Sequence, residues 1–333
     1  MESKYNSAFS AATAQHISDK IMQMLEGVEF STFSLGMSCK PEEKEKIKKG
    51  LQAEIIKKIT EHGKKAVFEN YDVYVLVDLL KNRISAEITP VYISGRYNKF
   101  ERNIAQTLHY CFRCKGNGCN ECDFKGTTGI KSVQEIVGKV AGKHFEAAGN
   151  KFHGAGREDV DVLMLGNGRP FVLELLQPGK RNTDLNAVEN EINRDKRVKV
   201  SGLGFCAKEH IERIKSAEHG KIYHAIVECG TAIDKKNLAK IPMDEKIEIL
   251  QQTPKRVEKR RAMIERPKNA EIRKAEVISG NSFEMEIIAS SGLYIKEFIS
   301  GDGSRTRPSI AEMLGIECRC RQLDVLEIVE NSK

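Results

Sequence analysis

Residues 152–175 read FHGAGREDVDVLMLGNGRPFVLEL, and this stretch decides how the rest of the chain is read. Two apolar runs, residues 160–165 and 171–176, flank Gly166–Pro170. Short apolar runs bounded by Gly and Pro predict two buried strands joined by a turn. Just ahead stand Arg157, Glu158, Asp159 and Asp161. An aspartate following a Gly-Arg turn can be held ionised by the neighbouring guanidinium. On the residues alone, Asp159 is a nucleophile, a metal ligand or simply a turn residue.

Downstream, residues 208–217 predict a helix ending at His219–Gly220, and residues 222–228 a strand. Gly280–Asn281 predicts a hairpin turn before a strand at 283–288. Upstream, Ile17, Ile21, Met24 and Leu25 share one helical face, and Ile47, Leu51, Ile55 and Ile59 another. Val73, Val75 and Val77 alternate as in a strand, and residues 91–93 belong to a further one. Ser132 with Glu135 predicts a capping box for a helix burying Val133, Ile136, Val137 and Val140. Helices and strands intersperse without regular βαβ spacing, which predicts an α+β fold on a mixed, mainly antiparallel sheet. The length suits two domains, set here at 1–100 for a small α/β unit and 101–333 for the larger part.

Cys111-x2-Cys114 and Cys119-x2-Cys122 have the spacing of a zinc knuckle over residues 108–126. Structural Zn²⁺ is the reading that spacing favours, against unmetallated thiols or a site shared with another chain. Four thiolates leave no open position, so such a metal staples a loop and does not catalyse. Cys318 and Cys320 read as small buried hydrophobes, while Cys39, Cys206 and Cys229 are isolated.

The net charge of +7 permits a polyanionic partner without requiring one. Absence of Trp and only 6% aromatics argue against an extended base-stacking surface. No apolar run approaches the roughly 20 residues of a membrane helix, and the first residues lack the apolar core of a secretory signal. A cytoplasmic or nuclear protein that does not engage membranes is the default expectation.

Gly156-Arg157-Glu158-Asp159 resembles the Gly-Arg-x-Asp signature of pseudouridine synthases, and the longer stretch resembles the archaeal and eukaryotic tRNA pseudouridine synthase family Pus-ten. Four further segments match that family in order. They are ISGRYNKFERNIAQT (93–107), KIYHAIVE (221–228), QQTPKRVEKRRA (251–262) and SGLYIKEFISGDGSRTRPSIAEML (291–314). The resemblance covers about residues 93–330.

It implies a catalytic domain that needs no cofactor for chemistry, with Asp159 as nucleophile. Arg157 would keep Asp159 ionised and fill the gap left by a flipped nucleotide. Tyr223 would pack on the target base and take the C5 proton, and Lys296 would pair with Asp159. Tyr294 and Ile295 would wall the pocket. On the residues alone, Arg157 and Lys296 are ordinary surface charges and Tyr223 plain core. The basic run Lys255, Arg256, Lys259, Arg260 and Arg261, with Arg305 and Arg307, would contact tRNA phosphates. The implied partner is the TΨC arm of tRNA, met by a monomer through its two adjacent uridines. The resemblance also implies a THUMP-like RNA-binding unit at the N-terminus, here reduced. The family's DFGRT stands as DGSRT at 302–306, so that loop departs from the pattern. The rival expectation is a non-catalytic tRNA-binding or RNA-folding protein that keeps the architecture.

Overall fold

The computed structural model describes residues 11–217 and 219–329. They divide into two compact units: Met1–Ile93 with Gly138–Lys151 and Leu173–Val188, and Ser94–Val137 with Phe152–Val172 and Glu189–Lys333.

In the first unit β1 (Thr32–Ser38), β2 (Lys65–Ala66), β3 (Val73–Asp78) and β4 (Arg83–Ile88) form a sheet of order β2-β1-β3-β4. Val73, Val75 and Val77 alternate inward as the sequence predicts. They pack with Ile21 and Leu25 against Ile55 and Ile59 of the helix Ala53–Glu61. The first helix, Ala11–Met24, ends at Met24, which is exposed rather than core. Ile47, Leu51, Ile55 and Ile59 are all buried, although their segment is not one regular helix. A spacing of four drifts about 40° per step on an α-helix, and a π-turn at Lys48–Gln52 keeps the stripe facing inward.

The large sheet comprises β5 (Val91–Lys99), β6 (Ala147–Gly154), β7 (Leu163–Pro178), β8 (Val198–Phe205), β9 (Gly220–Cys229), β10 (Lys246–Gln252), β11 (Glu265–Ser279), β12 (Ser282–Ala289), β13 (Thr306–Arg307) and β14 (Cys318–Val329). Its order is β13-β10-β11-β12-β9-β14-β7-β5-β8, with β6 paired to β7. The pairs from β13 to β14 are antiparallel, and β14 meets β7 in parallel. The fold is thus a mixed, mainly antiparallel α+β arrangement. Gly280–Asn281 makes the hairpin between β11 and β12. Cys318 stands opposite Cys229, with their Sγ atoms 3.5 Å apart in the core.

Ser132 caps the helix Val133–Phe145: its Oγ accepts from the Glu135 amide at 3.1 Å and donates to the Glu135 carboxylate at 2.8 Å. The face it buries is Val133, Val137, Ala141 and Phe145, with Ile136 and Val140 only half-buried. Among the described residues no helix is long and apolar enough to cross a membrane.

The turn expected at Gly166–Pro170 does not form; β7 runs through it without reversing. Gly166 and Gly168 take φ of 55° and 73°, backbone conformations that glycine adopts readily. Asn167 replaces the lost ladder contacts, donating to the Ile328 carbonyl at 2.9 Å and accepting from its amide at 3.1 Å. A Cβ on Gly166 would collide with the Leu326 carbonyl, and one on Gly168 would lie 2.9 Å from the Tyr97 carbonyl. Gly166→Ala and Gly168→Ala are each expected to destabilise by about 1–3 kcal/mol, read as a lower urea midpoint.

Candidate active site

The loop between β6 and β7 carries Arg157, Glu158, Asp159 and Asp161. Within this loop Glu158 is buried while its neighbour Asp159 is half-exposed. The Glu158 side chain is essentially inaccessible and lies 2.9 Å from Nε of the equally buried Arg169. The Tyr97 hydroxyl donates to its carboxylate at 2.9 Å. Gln106 donates from Nε2 to the Tyr97 oxygen at 2.8 Å and to the Gly156 carbonyl at 2.9 Å. Lys99 lies 4.0 Å from Glu158. It donates to the carbonyls of Ile104, Asp159 and Val160 at 2.7, 3.1 and 3.2 Å. Burial pulls the Lys99 amine below its usual range, against the attraction of Glu158. For Arg169 burial also opposes the charge, but Glu158 leaves its guanidinium raised.

The Asp159 carboxylate stands 3.3 Å from Arg256 and 3.3 Å from Lys296. Arg256 is held by Nε donating at 2.7 Å to the buried Glu297, and its guanidinium lies 5.8 Å from the Tyr294 ring centre. Lys296 donates to both oxygens of Asp161 at 2.8 Å. Burial works against the Lys296 charge, yet the Asp161 hydrogen bond and the two aspartate charges raise its pKa. The same pair holds the Asp161 carboxyl low despite partial burial. Tyr223, central in the sheet between Ile287 and Val325, lines the same cleft of about 100 Å³ with Tyr294 and Ile295. Burial, opposed by Arg169 and reinforced by Glu158 and Asp159, pushes its phenol up to about 12.

The structure therefore brings Asp159, Tyr223, Lys296, Tyr294 and Ile295 together as the sequence predicts. Arg157 also lines the cleft, but its Nη2 lies 2.6 Å from Nε2 of His109, and the cations on Asp159 are Arg256 and Lys296. Arg256, expected on a phosphate, belongs to the site. Arg305 is engaged with Glu258 and the Thr253 carbonyl, both at 3.3 Å. Lys255, Arg261 and Arg307 are exposed, while the side chains of Lys259 and Arg260 lie outside the described residues. In the divergent 302–306 loop Asp302 accepts from the Lys255 amide at 3.0 Å, helping fix the segment that presents Arg256. The Glu158 cluster was not anticipated. Its one local signal was Tyr97 and Lys99, two apart on one strand face.

The four knuckle cysteines place their sulfurs within 4.8 Å of one another. Three measured separations are 3.7–3.8 Å. A tetrahedron with Zn–S near 2.3 Å has edges of about 3.8 Å, so the set fits a four-thiolate metal. Amides of Cys119 and Gly126 donate to Cys122 Sγ at 3.3 and 3.2 Å, as suits a thiolate.

The family model described as Pus10, C-terminal, matches residues 92–329, more than half of the chain. The chain belongs to the Pus10 family. Pus10 relatives include the tRNA pseudouridine synthase Pus10 of Methanocaldococcus jannaschii, 39% identical over 97% of this chain and 74% of the relative. Those of Archaeoglobus fulgidus and Methanopyrus kandleri are 38% and 40% identical, covering 94% and 92% of this chain and 91% and 76% of theirs. A solved Cbf5-Nop10-Gar1 complex is a distant likeness, with 14% identity and a TM-score of 0.36 over 72% of this chain and 60% of that one.

Removing Glu158 strands Arg169 without its anion in the core. Glu158→Ala is expected to cost about 3–5 kcal/mol, measured by chemical denaturation. Lys221 is nearly inaccessible, and burial beside Arg169 and Lys268 lowers its amine to about 8. A folded value below the unfolded one means the penalty is full below pH 8 and eases as pH rises toward the ordinary lysine range. The stability gap between Lys221→Met and the wild type should therefore shift in favour of the wild type from pH 8 to 10, in paired denaturation curves.

Proposed function

We propose that this chain isomerises uridine to pseudouridine in tRNA, with Asp159 as the nucleophile. The observation that carries the reading is a solvent-facing carboxylate held between Arg256 and Lys296, in a cleft backed by Tyr223. Isomerisation breaks the N1–C1′ bond, turns the uracil and joins C5 to C1′; the C5 proton leaves and N1 gains one. No oxidation is involved, so a positioned carboxylate suffices, either attacking C1′ or assisting an elimination. Two cations, Arg256 and Lys296, hold the carboxylate in place. Tyr223 holds its proton firmly at neutral pH. Its hydroxyl therefore serves to pack and to donate, and a proton-accepting role in the last step needs the phenol to be activated by the bound base. Arg157 sits at the edge of the cleft, where it can occupy the space of an extruded nucleotide.

The substrate site within this reading is the pair of adjacent uridines of the TΨC loop, bound by a monomer in the cytoplasm. Exposed Arg261 and Arg307 supply phosphate contacts. The first unit acts as a reduced THUMP-like RNA-binding element. Zn²⁺ held by Cys111, Cys114, Cys119 and Cys122 would close the knuckle, with no ligand position left for chemistry. A purely RNA-binding protein gains nothing from a carboxylate clamped between two cations.

The test is an unmodified tRNA transcript incubated with purified protein, with pseudouridine mapped by carbodiimide and primer extension. Asp159→Asn should lower product formation at least about a thousandfold while tRNA binding in a filter assay is retained. Turnover surviving in that variant would remove Asp159 from the role.

A further inference from the structure

We infer that the outer face of the cysteine knuckle is a stacking surface for unpaired RNA bases that neighbour the uridine presented to Asp159. The inference rests on the synthase reading for its choice of RNA, and on the knuckle itself for its geometry. Within fifteen residues, Tyr110, Phe112 and Phe124 are 57%, 77% and 73% exposed. That is a concentrated display of rings in a chain with 13 Phe, 8 Tyr and no Trp. Exposed ring area is unfavourable in water and calls for a covering partner.

The rings are also held in place. Tyr110 bridges to Thr127, and its ring lies over Gly116, where an added Cβ would be 3.1 Å away. Gly116 has φ of 105°, so the flat approach of ring to backbone is built into the loop. Asp123 and Phe124 adopt φ of 48° and 58°, consecutive left-handed residues that turn a phenyl ring outward. A bulky side chain in this region is strained, and strain of this kind concentrates at working surfaces.

Between the two knuckle loops lies a groove of about 270 Å³ bordered by Phe112, Arg113, Lys125, Thr127 and Thr128. Its cations are already matched, Arg113 by Glu121 and Lys125 by Asp123. A groove with cancelled charge, the Phe112 ring on its border and two threonine hydroxyls suits a nucleobase better than a phosphate. The knuckle also reaches the cleft: His109, two residues before Cys111, meets Arg157, which lines the Asp159 pocket. Extruding one nucleotide leaves its neighbours without stacking partners, and the knuckle's exposed rings would restore that stacking.

The absence of Trp provides the test. Phe112→Trp introduces a sole indole in this 333-residue chain, whose emission should be quenched on adding an unmodified tRNA transcript. Phe112→Ala with Phe124→Ala should weaken tRNA binding between about fivefold and a hundredfold, and the loss should persist at raised salt, since no phosphate contact is removed. Phe112→Tyr with Phe124→Tyr should retain affinity. Bound-metal content and thermal melting should stay as in the wild type, which shows the knuckle intact. Unchanged indole emission, or unchanged affinity in the double alanine variant, overturns the inference and leaves the rings to a protein partner. The fluorescence readout needs no turnover, so it decides the surface even if the wild type formed no pseudouridine.

Discussion

Glu158 and Asp159 are adjacent carboxylates with opposite fates, and the site depends on keeping them apart. Glu158 is taken into the interior, where Arg169, Lys99 and the Tyr97 hydroxyl surround it. A buried charge is tolerable only with such partners, and once they are in place the side chain has nowhere else to go. The next residue, Asp159, is left half-exposed in the cleft. Lys99 strengthens the constraint by binding the carbonyls of Asp159 and Val160 directly, so the loop backbone is fixed from beneath. Asp159 is thus aimed by its neighbour's burial more than by its own contacts.

Those contacts form a second layer. Arg256 is steered by Glu297 and by the face of Tyr294; Lys296 is shared between Asp161 and Asp159. Each cation has a carboxylate partner of its own besides Asp159, so neither collapses wholly onto it. Arg157, the cation nearest in sequence, instead joins His109 at the edge of the cleft.

Much of this was legible in the sequence, for identifiable reasons. Alternation marked Val73 to Val77 as a strand, Gly280–Asn281 marked the hairpin, and Ser132 with Glu135 marked a helix start, because each signal is local. Cysteine spacing likewise encoded a site whose sulfurs come from a few consecutive turns. The GRED stretch and the Tyr223 and Lys296 segments pointed to one cleft because motif order stood in for contact. What stayed hidden was non-local. Nothing in 166–170 says that Asn167 will stitch this stretch to Ile328, so it reads as a turn. Nor does the run around Arg256 say which of its charges turns inward, since that choice is made by Glu297, 41 residues later.

The separation of the charged partners along the chain has a consequence for how the protein comes to life. Arg256 follows Asp159 by 97 residues, and Lys296 follows Asp161 by 135. Glu158, Arg169, Tyr97 and Lys99 are all synthesised before either cation exists on an emerging polypeptide. A ribosome-bound fragment would carry the loop yet hold a bare carboxylate, inert until the final strands arrive. Competence is therefore conferred last, by long-range closure, which is the slow part of assembling a sheet of this topology.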